Sequence, residues 1–232
     1  MTKPLWITHT SESRKPLFDG YFKPSMDRSG LTTDCDFLVH NFPYESVYGQ
    51  EDFRKGVNVR AENVNRAVHD NPGRLIITSG DDLYIYGSSG AILDEIEIAL
   101  RYVDLVAMQD NPESLCCCLM ACRGSPTTKL LMHEWVRSAE NWKDDTCDQH
   151  RFNRVIRNLG ISFGRLPLTF WTHGRINGQR FIDDPSMLVD PPADILIHHA
   201  NYAMETDCKV RLIEEIKLRR NKILLDKANQ CK

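Results

Sequence analysis

Three short stretches carry residues whose chemistry exceeds ordinary packing. The first is "RLIITSGDDLYIYGSSG", Arg74 to Gly90, where an apolar run is broken by Asp81 and Asp82 and then resumes. Gly-Asp-Asp is good turn chemistry. Two carboxylates at a strand end can also hold a hard divalent cation and, through it, a phosphate. The second is "DQHRFN", Asp148 to Asn153, at the start of a helical pattern. Gln149 and Asn153 share a face there at i and i+4. Asp148 is either a carboxylate favoured by the helix dipole or a well-fixed catalytic one. The third is "IHHANY", Ile197 to Tyr202, followed by Lys209 and Arg211. A His pair after an apolar strand suits a core, yet imidazole also completes a Mn2+ shell beside carboxylates. Lys209 falls near a helix start, where anions are favoured. Arg211 reads as a solvated helix face.

The elements that must position these residues follow from periodicity. "PLWITHT" predicts a strand over Leu5 to Thr8 whose end presents Thr8, His9, Thr10 and Ser11. A second strand is expected around Phe37 to His40. Val57, Ala61, Val64 and Val68 then mark one face of a helix that stops at Asn71-Pro72-Gly73. "RLIITS" is a strand, and "LCCCLMACR" fits a strand buried on both faces. "SPTTKLLMHEWVRSAE" opens a helix with Pro at its first turn and keeps Leu131, Trp135 and Ala139 on one stripe. Residues 168–193 read as loop, "ADILIHHANY" as a last strand, and residues 205–228 as a charged C-terminal helix. Alternating strands and helices favour an α/β sheet covered by helices, and such sheets bind ligands beyond the carboxyl ends of their strands. The three polar stretches gather there.

The bulk properties narrow the function further. With 232 residues the chain is expected to form a single domain, 1–232. A formal charge of -3 argues against a nucleic-acid partner. No run approaches the roughly 18 apolar residues of a membrane span, and the N-terminus lacks a signal-peptide pattern. A cytoplasmic protein is expected. Three of the eight cysteines are consecutive, Cys116 to Cys118. Neighbours in a strand point to opposite faces, so these are expected as reduced thiols packed as small hydrophobes. Without paired CxxC motifs, a zinc site is not expected.

In this order the stretches, with "RLPLTFW" before "HAN" and its following lysine, resemble the nucleotide-diphospho-sugar transferase family of metal-dependent glycosyltransferases. The resemblance spans roughly Arg54 to Arg211 and is nearest in type to soluble glycosyltransferases of large algal DNA viruses, since the membrane anchor of plant members is absent. It implies a GT-A fold, Rossmann-like, with a mixed sheet flanked by helices. It further implies a Mn2+ or Mg2+ cofactor, a UDP- or GDP-sugar donor, a glycan acceptor, transfer of a hexosyl or pentosyl group, and a viral protein of the host cytoplasm. The family's Asp-x-Asp reads Gly80-Asp81-Asp82 here, so the first acidic position is lost. Carried over residue by residue, Asp82 and His199 hold the metal, and Lys209 meets the diphosphate. Thr8, His9, Thr10, Arg60, Asp81 and Gln149 lie on the donor side, and Asp148 is catalytic. Trp171 and His173 in "FWTHGR" are candidates for stacking on the acceptor, although Trp171 reads equally as a core aromatic. The competing classes are a non-catalytic sugar-nucleotide or carbohydrate-binding module, and a metal-dependent phosphatase or nucleotidyltransferase.

Overall fold

The computed structural model describes residues 2–43, 51–111, 114–140, 148–172, 188–201 and 205–230. Its main sheet has six strands in the order β2-β1-β3-β6-β5-β7: β1 (Leu5–Ser11), β2 (Asp36–Phe42), β3 (Leu75–Gly80), β5 (Leu105–Asn111), β6 (Ser114–Arg123) and β7 (Phe163–Arg165). β1 runs parallel to both β2 and β3, whereas β6 is antiparallel to β3 and β5. The carboxyl ends of β1, β2 and β3 therefore share one edge with the start of β6. A second sheet of three short strands, β4 (Leu83–Ile85), β9 (Ile197–His199) and β8 (Phe170–Thr172), stands beside it. The expected mixed sheet between helices is present.

Alternation of side chains along the central strands gives the main sheet two buried faces. On one, Trp6, Ile77 and Val106 pack with Met26, Leu31, Ile92 and Ile96. Met26 and Leu31 come from short helical turns, α2 (Lys23–Ser29) and α3 (Leu31–Asp34), and Ile92 and Ile96 from α5 (Ser89–Ala99), while the preceding turn α1 (Lys15–Leu17) sends Leu17 to a third cluster. On the other, Ile7, Ile76 and Leu105 meet three helices, α4 (Glu51–Asp70), α6 (Pro126–Arg137) and α7 (Asp148–Leu159). Each contributes one apolar stripe, as Ala61, Val64 and Val68 do in α4. A third cluster joins the small sheet to α8 (Thr206–Gln230) through Trp171, Leu212, Ile213 and Ile216.

Two local expectations change. β1 continues past Thr8 to Ser11, because Thr10 and Ser11 stay paired with Asn41 and Phe42 of β2. Its polar end is thus held in the sheet and is not a loop. Within 168–193, Phe170–Thr172 forms a strand parallel to β9, too short for a period to show. No helix among the described residues is long and apolar enough to cross a membrane.

Candidate active site

The acidic pair sits where β3 ends and the chain crosses to β4. Both aspartates are buried, Asp81 at 2% and Asp82 at 8% exposure. A surface turn would leave them in water, so the turn reading fails. Asp81 is gripped from two sides: Thr10 donates its hydroxyl to Oδ2 at 2.6 Å, and Arg14 approaches Oδ1 at 2.6 Å. Asp82 is gripped from more. Lys209 Nζ lies 2.7 Å from Oδ2, His199 Nε2 and Arg14 lie 3.4 Å from it, and the Cys118 thiol donates to Oδ1 at 3.3 Å.

The small sheet explains how distant segments arrive here. β4 and β9 pair so that Leu83 faces His199, and the Ala200 N–H donates to the Asp82 carbonyl at 2.9 Å. Lys209, in the first turns of α8, also donates to the Ala200 carbonyl at 2.8 Å. Charge then separates the two carboxyls. Burial pushes both upward, and Asp81 stays raised despite Arg14. For Asp82 the nearby Lys209, His199 and Arg14 outweigh burial and hold it well below the usual carboxylate range.

Asp148 opens α7 on the opposite side of β6. Its Oδ1 accepts the Gln149 N–H at 2.9 Å, and the Cys117 thiol donates to Oδ2 at 3.5 Å. Arg60 of α4 lies 3.8 Å from the same oxygen and donates to the Cys117 carbonyl. Asn153 locks α7 to the sheet edge by bonding both the N–H and the carbonyl of Leu115, each at 2.9 Å. Above these groups, His9 stacks between His40 and Phe42 with ring centroids 5.2 and 5.4 Å away. Burial, reinforced by Arg60 and His40, holds the His9 imidazole well below its ordinary pKa.

These elements enclose a cleft of about 160 Å³ between α4 and the carboxyl ends of β1 and β3. His9, Thr10, Arg60, Asp81, Asp82, Asp148 and His199 all line it. Lys209 joins them through Asp82. Thr8 does not line it; its hydroxyl bonds Ser79 Oγ at 2.7 Å and ties β1 to β3. Gln149 contributes its backbone N–H to Asp148. Trp171 is 1% exposed and packs in the third core cluster. Its indole ring is covered there, so the structure does not bring it to the cleft. His173 lies outside the described residues.

Arg14 and Cys118 line the cleft and carried no recognisable signal as site members. Arg14 follows β1 in an irregular helical turn, so no period marks it. The cysteine run was legible as a buried strand, but the small-hydrophobe reading of its thiols is incomplete. Cys116 Sγ lies 3.5 Å from His199 Nδ1, Cys117 bonds Asp148, and Cys118 bonds Asp82. Strand alternation sends the middle thiol to one face and its neighbours to the other. Among the described residues, Asp82, Cys118 and His199 form a group whose ligand atoms all lie within 4.8 Å of one another. One carboxylate, one imidazole and one thiol at that spacing fit a divalent first-row cation.

Comparison with known proteins identifies the family and the fold. A family model described as nucleotide-diphospho-sugar transferase matches residues 36–213. Among solved structures, a glycosyltransferase involved in the glycosylation of the major capsid of PBCV-1 superposes with a TM-score of 0.58 at 9% identity, over 91% of this chain and 100% of that one. Mouse xyloside xylosyltransferase 1 in its apo form gives a TM-score of 0.51 at 12% identity, over 86% and 98%. The glycosyltransferase GlyE of Streptococcus pneumoniae TIGR4 gives 0.51 at 11% identity, over 85% of this chain and 55% of that one. These are likenesses of fold. No curated protein sequence matches the chain.

Proposed function

Because the chain belongs to the nucleotide-diphospho-sugar transferase family, we propose that its cleft seats a UDP- or GDP-sugar and passes the sugar to a glycan acceptor with the help of a divalent cation. The chain is a glycosyltransferase with a mixed α/β fold of the GT-A type. The observation that carries the finer reading is the convergence on one buried carboxylate. Asp82 is met by His199 at 3.4 Å and Lys209 at 2.7 Å, in the same cleft that Asp148 enters from the other side.

In this reading Asp82 and His199 hold the cation, Mn2+ or Mg2+. When bound, it supplies positive charge against the diphosphate that leaves as the glycosidic bond breaks. Lys209 then has two anionic claimants, Asp82 and the donor diphosphate, and turns toward the second when the first is neutralised. Arg14 fixes Asp81, so the carboxylate pair is oriented before the donor arrives. His9 and Thr10 face the base and ribose, while Thr8 steadies the strand beneath them.

Asp148 serves in this reading as the acceptor-side group. Its carboxylate is held by the Gln149 N–H, so it is fixed and not free to rotate. If the anomeric centre inverts, Asp148 takes the proton of the acceptor hydroxyl as general base. If configuration is retained, it steadies the positive charge at the sugar carbon. The viral setting suggested by the PBCV-1 neighbour and the glycan acceptor belong to the same proposal. Free cysteines packed in the site suit a reducing compartment.

The test is a thermal-shift panel of UDP-, GDP- and dTDP-sugars with and without Mn2+. A ligand at one hundred times its Kd adds about 2.7 kcal/mol to the native state. One sugar nucleotide raising Tm chiefly with Mn2+ is the expected result. No response to any of them contradicts the reading.

A further inference from the structure

Gly80 and Cys118 face each other across the β3–β6 pairing, at the rim of the candidate metal group. A Cβ built on Gly80 would lie 2.7 Å from Asp82 Oδ1 and 3.0 Å from Cys118 Sγ. Real Cβ atoms do not tolerate the first contact. The glycine is therefore what lets the Asp82 carboxylate and the Cys118 sulfur occupy one space. Cys118 is buried at 8% exposure, yet its sulfur is turned to a carboxylate 3.3 Å away and away from pure hydrocarbon.

His199 is the third donor. His199 points Nε2 at Asp82, while its Nδ1 rests 3.5 Å from the Cys116 sulfur. An imidazole that binds a metal through one nitrogen is oriented by a partner on the other, and Cys116 stands in that place. Ligands held about 2.0–2.3 Å from one ion lie no further apart than about twice that. The three donor atoms lie within 4.8 Å of one another, so small side-chain adjustments bring them into range.

We propose that Cys118 is a metal ligand, bound as thiolate beside Asp82 and His199 in the space that Gly80 leaves open, and that the site accordingly discriminates against Mg2+ in favour of softer first-row cations. Thiolate ligands select softer ions, whereas Mg2+ demands oxygen donors. A sulfur–metal bond forms as the S–H bond breaks, and the proton leaves to solvent, so metal uptake releases acid. The inference rests on the reading of Asp82 and His199 as metal ligands.

Cobalt(II) tests it without any donor sugar, because a cobalt–thiolate bond adds a near-ultraviolet charge-transfer band to the visible d–d bands. The chain titrated with Co2+ is expected to show both sets. Cys118→Ser should lose the charge-transfer band and bind Co2+ at least about tenfold more weakly. Cys117→Ser, on the opposite face of β6, should keep both band and affinity, and circular dichroism checks that each variant is folded. Competition with Mg2+ in large excess should leave the spectrum unchanged. Visible bands without the charge-transfer band, or a band that survives Cys118→Ser, overturn the cysteine ligand and leave the Asp82–His199 reading standing. No Co2+ spectrum at all overturns both.

Discussion

Lys209 Nζ lies 2.7 Å from Asp82 Oδ2, and both side chains are nearly sealed from solvent, at 8% and 11% exposure. Burying two charges is costly, and removing Lys209 leaves Asp82 with only His199 and Arg14, each at 3.4 Å. Lys209→Met is therefore expected to lower unfolding free energy measurably in chelator-treated protein, by less than the roughly 3–5 kcal/mol that a fully stranded buried charge costs. The double variant Asp82→Asn with Lys209→Met should recover much of that loss. Urea denaturation of the three variants checks this. Additive losses in the double variant contradict the pairing.

Gly80→Ala should disable the site more than the fold. The new Cβ meets the Asp82 carboxylate at 2.7 Å and the Cys118 sulfur at 3.0 Å, both ends of side chains and not backbone. The carboxylate shifts, and metal-dependent turnover is expected to fall at least about tenfold, in line with losses on disturbing a metal's surroundings. Melting temperature and kcat measured together separate the two effects. Unchanged kcat would mean the Asp82 position is not critical.

His9 gives the stability a pH dependence of known sign. Burial, with Arg60 and His40 beside it, keeps its folded-state pKa well below 6.5. Between that value and 6.5 the unfolded chain binds a proton that the folded chain refuses. Stability is thus present above about pH 6.5 and lost as pH falls through this window, by at most about 1.4 kcal/mol per pH unit for one proton. His9→Phe keeps a ring in the stack and removes the titration, so its curve should be flatter from pH 6.5 downward. His40, also lowered by burial and by Arg66, supplies the residual slope. Parallel curves for the variant and the unaltered chain contradict the assignment.

Asp148→Asn keeps the Gln149 N–H bond through its amide oxygen and removes the base. Turnover is expected to fall by about 10²–10⁴-fold, the usual contribution of general-base catalysis, with donor affinity and Mn2+ dependence of the melting temperature unchanged. Loss of donor binding would instead place Asp148 on the donor side.

Much of this geometry was legible in the sequence because it lies in regular elements. Val57, Ala61, Val64 and Val68 announce α4 by period alone, and with it the place of Arg60. The broken apolar run announces Asp81 and Asp82 at a strand end. The rest depends on contacts between segments far apart in the chain. Nothing local to "LCCCLMACR" says that Cys118 will face Asp82 through the β3–β6 pairing, or that Cys116 will back His199. Arg14 reaches both aspartates from a turn without periodicity. Trp171 was ambiguous between acceptor and core because three residues of strand carry no pattern, and its burial comes from β8 pairing with β9 and packing in the cluster with Leu212, Ile213 and Ile216.

The central claim is that Asp82 serves metal-dependent sugar transfer. The measurement closest to it is release of nucleoside diphosphate from the sugar nucleotide found in the thermal-shift panel, with Mn2+ and with chelator, for the unaltered chain and for Asp82→Asn. Release is expected to need Mn2+ and to fall by about 10²–10³-fold in the folded variant, the loss expected when one group stabilising transition-state charge is removed. Release that persists in chelator and survives Asp82→Asn, or inorganic phosphate as the product, would contradict it.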